Sequence, residues 1–185
     1  MPPIPDKYLE QRILNAALDL CRTRGERGLT LRMVARAAGT TTPTIYKRFH
    51  SKEALRLALA RHIWQDLIEQ IVTSSRIEES YRRYLSFSEA HPEEYKVLMA
   101  AWAEVFASEK ERPGEIWLLA QLANRFGGKP EEYAPMYYAL LLLCHGAATF
   151  INMATNERVR TALRENCILA CDTLIQNVDI LRVRA

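Results

Sequence analysis

The sequence predicts an all-α protein, with a compact three-helix unit at the N-terminus joined by a linking helix to a larger helical block. Apolar residues recur at i, i+3, i+4 and i+7 along most of the 185 residues, which is the spacing of one helix face. No stretch alternates apolar and polar residues long enough for a strand. Glycine and proline are few and punctuate the boundaries of the periodic segments.

The first helix is expected from about Asp6 to Arg24, with Leu14, Ala17, Leu18 and Cys21 as its stripe. Gly25 and Gly28 end it and shape the loop RGERG. Thr30 suits the N-cap of a short second helix, in which Leu31, Val34, Ala35 and Ala38 repeat the spacing. Gly39 stops that helix, because glycine tolerates the left-handed backbone such a turn needs. A third helix starts near Thr41 or Thr42. Pro43 lies in its first turn, where a missing N–H is harmless, and Ile45 and Phe49 face inward. Ser51 caps a fourth helix, whose Leu55, Leu59, Ile63, Leu67 and Ile71 recur every four residues. Further helices are expected near Ile77–Ala90, from Pro92, from Pro113 to Gly127-Gly128, from about Glu131 to Thr155 and from Glu157 to Asn177.

Bulk composition is that of an ordinary globular chain, 49% hydrophobic and 25% charged. The net charge of +3 conceals an asymmetry: residues 1–62 hold twelve Lys/Arg against five Asp/Glu, a net of +7, and the remainder carries −4. A basic first third on an acidic body points to a polyanion met by the N-terminal part; solvated helix faces with chance asymmetry are the plain alternative. MPPIPDKYLEQR has no apolar h-region, so a cytoplasmic location with reduced cysteines is expected. Met136–Ala154 is long and apolar, but it contains His145, Gly146, Thr149 and Asn152 and reads better as a buried interface helix than as a membrane span. Cys21, Cys144, Cys167 and Cys171 lack zinc-type spacing. Cys167 and Cys171 are i,i+4 on one helix, but no metal and no cofactor is expected. No HExxH, glycine-rich phosphate loop, paired carboxylates or nucleophile motif is present, so the chain is not expected to be an enzyme.

Two short helices around a tight glycine turn, LRMVARAAG-TT-TPTIYKRF, form a helix-turn-helix pattern. Packing Leu31, Val34, Ala35, Ala38, Ile45 and Phe49 inward leaves Arg32, Arg36, Thr42, Thr44, Tyr46, Lys47 and Arg48 outward. Residues 12–59, RILNAALDLCRTRGERGLTLRMVARAAGTTTPTIYKRFHSKEALRLAL, resemble the DNA-binding domain of the tetracycline-repressor (TetR) family without a gap. The likeness rests on Ala16-Ala17, Gly25, Thr30, Val34-Ala35, Ala38-Gly39, Thr44-Ile45-Tyr46, Phe49 and Ser51-Lys52-Glu53-Ala54-Leu55. Thr40-Thr41 stand where many members have Val-Ser, Pro43 where they have Gly, and Arg48 where His is common.

The resemblance implies that Thr30, Thr44, Tyr46 and Lys52 contact DNA phosphates, fixing register and making binding salt-dependent. It implies that Arg32, Thr42, Pro43, Lys47 and Arg48 face the major groove, with Arg48 open between base and phosphate. Arg32 to guanine would give about 1–3 kcal/mol of discrimination. Tyr46 packing its ring on the first helix is the alternative there, and both roles are compatible.

The resemblance further implies a homodimer that binds a palindromic double-stranded DNA operator and is released by a small, mostly apolar effector. Residues 1–50 would be the DNA-binding domain, with a linking helix from Ser51, and residues 51–185 the ligand-binding and dimerisation domain. YLSFSEAHPEEYKVLM and LLLLCHGAATF are similar to parts of the effector domains of some members. Pocket candidates are Phe87, His91, Met99, Trp102, Phe106, Trp117, Phe126, Tyr137, Tyr138 and His145, each with core packing as its alternative. Dimer-interface candidates are Leu140, Leu143, Cys144, Ala147, Ile168, Cys171 and Leu174. The competing reading is a sequence-tolerant architectural DNA-binding protein without an effector.

Overall fold

The structure is a computed structural model that describes residues 8–108 and 112–183. It contains no strand among those residues. The α-helices are α1 (Leu9–Arg24), α2 (Leu31–Ala37), α3 (Thr42–Phe49), α4 (Lys52–Val72), α5 (Ile77–Ala90), α6 (Pro92–Ala100), α7 (Trp102–Ser108), α8 (Pro113–Phe126), α9 (Ala134–Met153) and α10 (Glu157–Gln176). Short 3₁₀ turns occupy Gly25–Gly28, Pro130–Tyr133 and Val178–Ile180. The fold is an N-terminal helix-turn-helix followed by a C-terminal helical domain. The chain divides into two compact units, Met1–Gln65 with Glu93–Glu109, and Asp66–Pro92 with Lys110–Ala185.

In the first unit α1 packs on α2 and α2 on α3. The stripes read from sequence form its core, joined by Ile13: Ile13, Ala17, Cys21, Val34, Ile45, Leu55 and Leu59 are all but inaccessible to solvent. Burying Ile45 or Val34 stabilises the unit by about 1.5–3 kcal/mol each. Gly28 is required by close approach, since a Cβ there would lie 2.7 Å from the Leu20 carbonyl oxygen. Gly39 has φ +62°, the left-handed turn that ends α2. The expected start of α1 at Asp6 lies outside the described residues; the helix is seen from Leu9. The segment after Pro92 forms two helices, not one, broken at Ala101. Glu94 is buried in this unit and receives Arg22 Nε on Oε1 at 2.6 Å.

In the second unit α9 packs against α10 and α5. The single helix expected over Glu131–Thr155 is a 3₁₀ turn followed by α9, because Pro135 has no N–H to donate and fits only the first turn of an α-helix. Asn156 caps α10, its Oδ1 accepting from the N–H groups of Arg158 and Val159 at 2.9 and 3.4 Å. Arg182 closes the unit: its Nε lies 2.7 Å from Glu132 Oε2 and its guanidinium 5.1 Å from the Tyr133 ring centroid.

Candidate nucleic-acid interface

Both helices of the helix-turn-helix begin on threonine caps. Thr30 Oγ1 accepts from the Met33 N–H at 3.2 Å, and Thr41 Oγ1 from the Thr44 N–H at 3.3 Å. Thr44 Oγ1 also lies 2.8 Å from Thr41 Oγ1. The α3 backbone therefore starts at Thr42, with exposed Pro43 in the first turn. His50, at φ +56°, ends α3 sharply, its N–H donating to the Tyr46 carbonyl at 2.9 Å. Ser51 Oγ then accepts from the Ala54 N–H at 3.0 Å and starts α4. Hydrogen bonds from its own backbone N–H and from Ser51 hold the Glu53 carboxyl below its ordinary range.

This framework divides α3 into two faces. Ile45 and Phe49 are buried, and Pro43, Tyr46, Lys47 and Arg48 are exposed. Thr42 and Thr44 are half-buried, as is Lys52 at the first turn of α4. Tyr46 is 50% exposed, so part of its side chain is available beyond any packing role. Arg32 and Arg36 project, exposed, from α2 one helical turn apart. Among the described residues Arg32, Arg36, Lys47 and Lys52 enter no ion pair; the first three are exposed, and Lys52 lies beside Glu53, whose carboxyl it helps to hold below its ordinary range. Arg48 differs: its Nη2 is paired with Glu10 Oε2 of α1, a partner that spacing within the motif does not disclose. Cys21, on the buried face of α1, is no nucleophile, since burial first, then Glu94, pushes its thiol up to about 11.

The sequence matches a model of bacterial regulatory proteins of the tetR family over residues 13–59. Residues 13–59 thus resemble the DNA-binding domain of that family. Solved structures extend the likeness in fold along the whole chain. A variant TetR regulator from Acinetobacter baumannii AYE in complex with minocycline is 16% identical, covers 93% of this chain and 97% of its own, and superposes with a TM-score of 0.67. A tetR-family regulator from Streptomyces coelicolor is 18% identical, with 95% and 90% covered and a TM-score of 0.63. A possible TetR-family regulator from Streptomyces coelicolor A3(2) is 17% identical, with 94% and 100% covered and a TM-score of 0.53. No curated protein matches the sequence. The regulator is thus a DNA-binding helix-turn-helix protein.

The C-terminal candidates fall into local groups. Met99, Trp102 and Phe106 belong to the first unit, where Trp102 stacks near Phe106 (5.5 Å between centroids) and meets Trp64 edge-on at 4.9 Å. Phe87, His91, Trp117, Phe126, Tyr137, Tyr138 and His145 belong to the second. There Phe87 and His91 lie 5.2 Å apart, as do Tyr137 and Tyr138, and the Tyr138 hydroxyl accepts from Arg112 Nη1 at 2.9 Å. His145 Nδ1 lies 2.6 Å from the Tyr84 hydroxyl, a partner absent from the sequence-derived set. Burial pushes the His145 imidazole down to about 4.

Of the interface candidates, Leu140, Cys144 and Cys171 are buried within the regulator's own packing; Ala147, Ile168 and Leu174 are half-buried. Only Leu143 is exposed. The uncovered apolar stripe lies one helical step away, on Leu142, Phe150 and Met153 of α9 and Val159 and Leu169 of α10. Gly146 shares the α9 side of that stripe, with open space around the position of a Cβ. Periodicity found the apolar faces but could not tell the one turned to α5 from the one left open.

Proposed function

We propose that the regulator is a dimeric, ligand-responsive repressor that reads a palindromic operator through α3. The observation that carries this reading is the outward face of α3 and α2, where Pro43, Tyr46, Lys47 and Arg32 stand exposed over a buried Ile45–Phe49 face. In a two-fold dimer, two copies of α3 enter successive major grooves about 34–36 Å apart. Thr30, Thr44, Tyr46 and Lys52 hold phosphates. Arg32, Thr42, Pro43 and Lys47 read base edges, and Arg48 joins them when DNA competes for it against Glu10.

The exposed stripe of Leu142, Phe150, Met153 and Leu169 supports dimerisation through α9 and α10, with Gly146 allowing close helix approach. Residues 1–50 serve DNA and residues 51–185 serve effector and partner, in a cytoplasmic protein without catalytic function. The minocycline held by the fold relative from Acinetobacter supports a small organic effector, received among the aromatic candidates of the second unit. That effector releases DNA only to the extent that it binds one dimer shape more tightly than the other.

The test is selection of bound sequences from random DNA by the full chain, repeated with candidate effectors. A palindrome is expected. Arg32→Ala should relax one position of it by about 1–3 kcal/mol, and Lys52→Ala should weaken binding uniformly with the salt slope reduced by about 1. Steep salt dependence with no palindrome would instead identify a sequence-tolerant architectural protein and overturn the proposal.

A further inference from the structure

Cys144 of α9 and Cys167 and Cys171 of α10 bring three Sγ atoms within 4.8 Å of one another, and all three residues are buried. The i,i+4 spacing on α10 turns two thiols toward α9, where Cys144 completes the cluster. Cys167 Sγ also donates to the Leu143 carbonyl at 3.7 Å. Among the described residues no histidine or carboxylate joins the three sulfurs. The adjacent Asp172 is engaged elsewhere, accepting from the Tyr81 hydroxyl and, at 3.0 Å, from Arg82 Nη2.

We propose that these cysteines form a site for a soft trivalent ion, of which arsenite is the simplest probe, bound as a neutral tris-thiolate. Geometry is the first ground. A central atom about 2.3 Å from each sulfur at the apex of a pyramid needs sulfurs ~3.5 Å apart, a contraction of a cluster whose sulfurs already lie within 4.8 Å of one another. Ligand count is the second. Zinc in a closed site takes four ligands in a tetrahedron, whereas a trivalent ion with a lone pair is satisfied by three in a pyramid. Charge is the third. Three thiolates leave −2 around Cu(I) and −1 around Zn(II), but nothing around a trivalent ion, and a buried site beside Asp172 disfavours uncompensated negative charge.

The exchange balances without redox change: three As–O bonds of As(OH)₃ and three S–H bonds break, three As–S bonds form, and three waters leave. The ion then joins α9 to α10.

The experiment uses the full chain in a phosphine reductant, with arsenite, Zn(II) and Cu(I) compared by native mass spectrometry and thermal melting. One arsenic less three hydrogens should be added per chain, with a raised melting temperature. Cys144→Ala, Cys167→Ala and Cys171→Ala should each weaken loading by more than about tenfold, while Cys21→Ala, the buried cysteine outside the cluster, should leave it unchanged. Circular dichroism checks that each variant is folded, and the intact chain decides the matter if one is not. The proposal is overturned if the intact, reduced chain gains no arsenic, if Cys21→Ala abolishes loading, or if Zn(II) or Cu(I) displaces arsenite at equal concentration.

Discussion

Lowering the pH from 7 to 5 should destabilise the regulator through His145 alone by about 2 kcal/mol. Burial holds its imidazole near 4 in the folded chain, against 6.5 when exposed. The unfolded chain therefore binds the extra proton, and stability falls as pH drops through 6.5 and levels off below 4. At pH 5 the unfolded imidazole is almost wholly protonated and the folded one largely neutral; the linkage integral between these states gives the ~2 kcal/mol. For a chain of this length that is a fall of about 4–8 °C in melting temperature. The window is favourable because carboxylates held low act later. Glu79, held by Arg83, and Glu132, held first by the Lys129 N–H and then by Arg182, lie below their ordinary 4.5. His145→Asn keeps an acceptor near Nδ1 for the Tyr84 hydroxyl and removes the titration. Urea denaturation of both proteins from pH 7 to 5 is the assay, and slopes rather than baselines are compared. A variant whose stability declines in parallel with the wild type would refute the reasoning.

Three further outcomes are expected. Thr30→Ala should lower stability by about 1 kcal/mol in urea denaturation through loss of the α2 cap, whereas Thr30→Ser should retain it. Glu10→Gln releases Arg48, so operator affinity should rise and the salt slope steepen by about 1 in anisotropy titrations, with stability changed by less than ~1 kcal/mol because the pair is exposed; an unchanged slope would place Arg48 away from phosphate. Phe150→Glu, which charges the open stripe without entering the core, should shift sedimentation from dimer to monomer while leaving helicity intact.

The N-terminal unit was legible because its signals are local. A threonine three residues before the N–H it accepts, a glycine that must adopt φ +62°, and apolar residues at helical spacing are all written within ten residues of one another. What the motif could not disclose were partners distant in sequence. Glu10 meets Arg48 across 38 residues, and Arg22 meets the buried Glu94 across 72. Glu94 illustrates the difficulty: beside Pro92 it reads as a helix-start acid that favours the macrodipole, and nothing nearby marks it for burial.

The C-terminal helices were read less finely for a different physical reason. In α9 apolar residues surround most of the helix, so periodicity carries little direction, and by length and composition Pro130–Met153 passes as a membrane span. Such a helix is equally consistent with burial on all sides, with lipid, or with one face held by its own chain and the other by a partner. Packing within the chain excludes only the first of these cases. Met136, Leu140, Cys144, Ala148 and Ile151 are buried, while Leu142, Phe150 and Met153 are open. The buried set steps by three and four residues, and the open set by eight (two turns, through Gly146) and three, so two apolar stripes share one helix. The buried stripe carries Cys144, and on α10 Cys171, into the chain's own packing, and brings their sulfurs to Cys167. Which cysteines meet is therefore set by how α9 is rotated against α10. Mutations that turn this seam should alter thiol chemistry and subunit contact together.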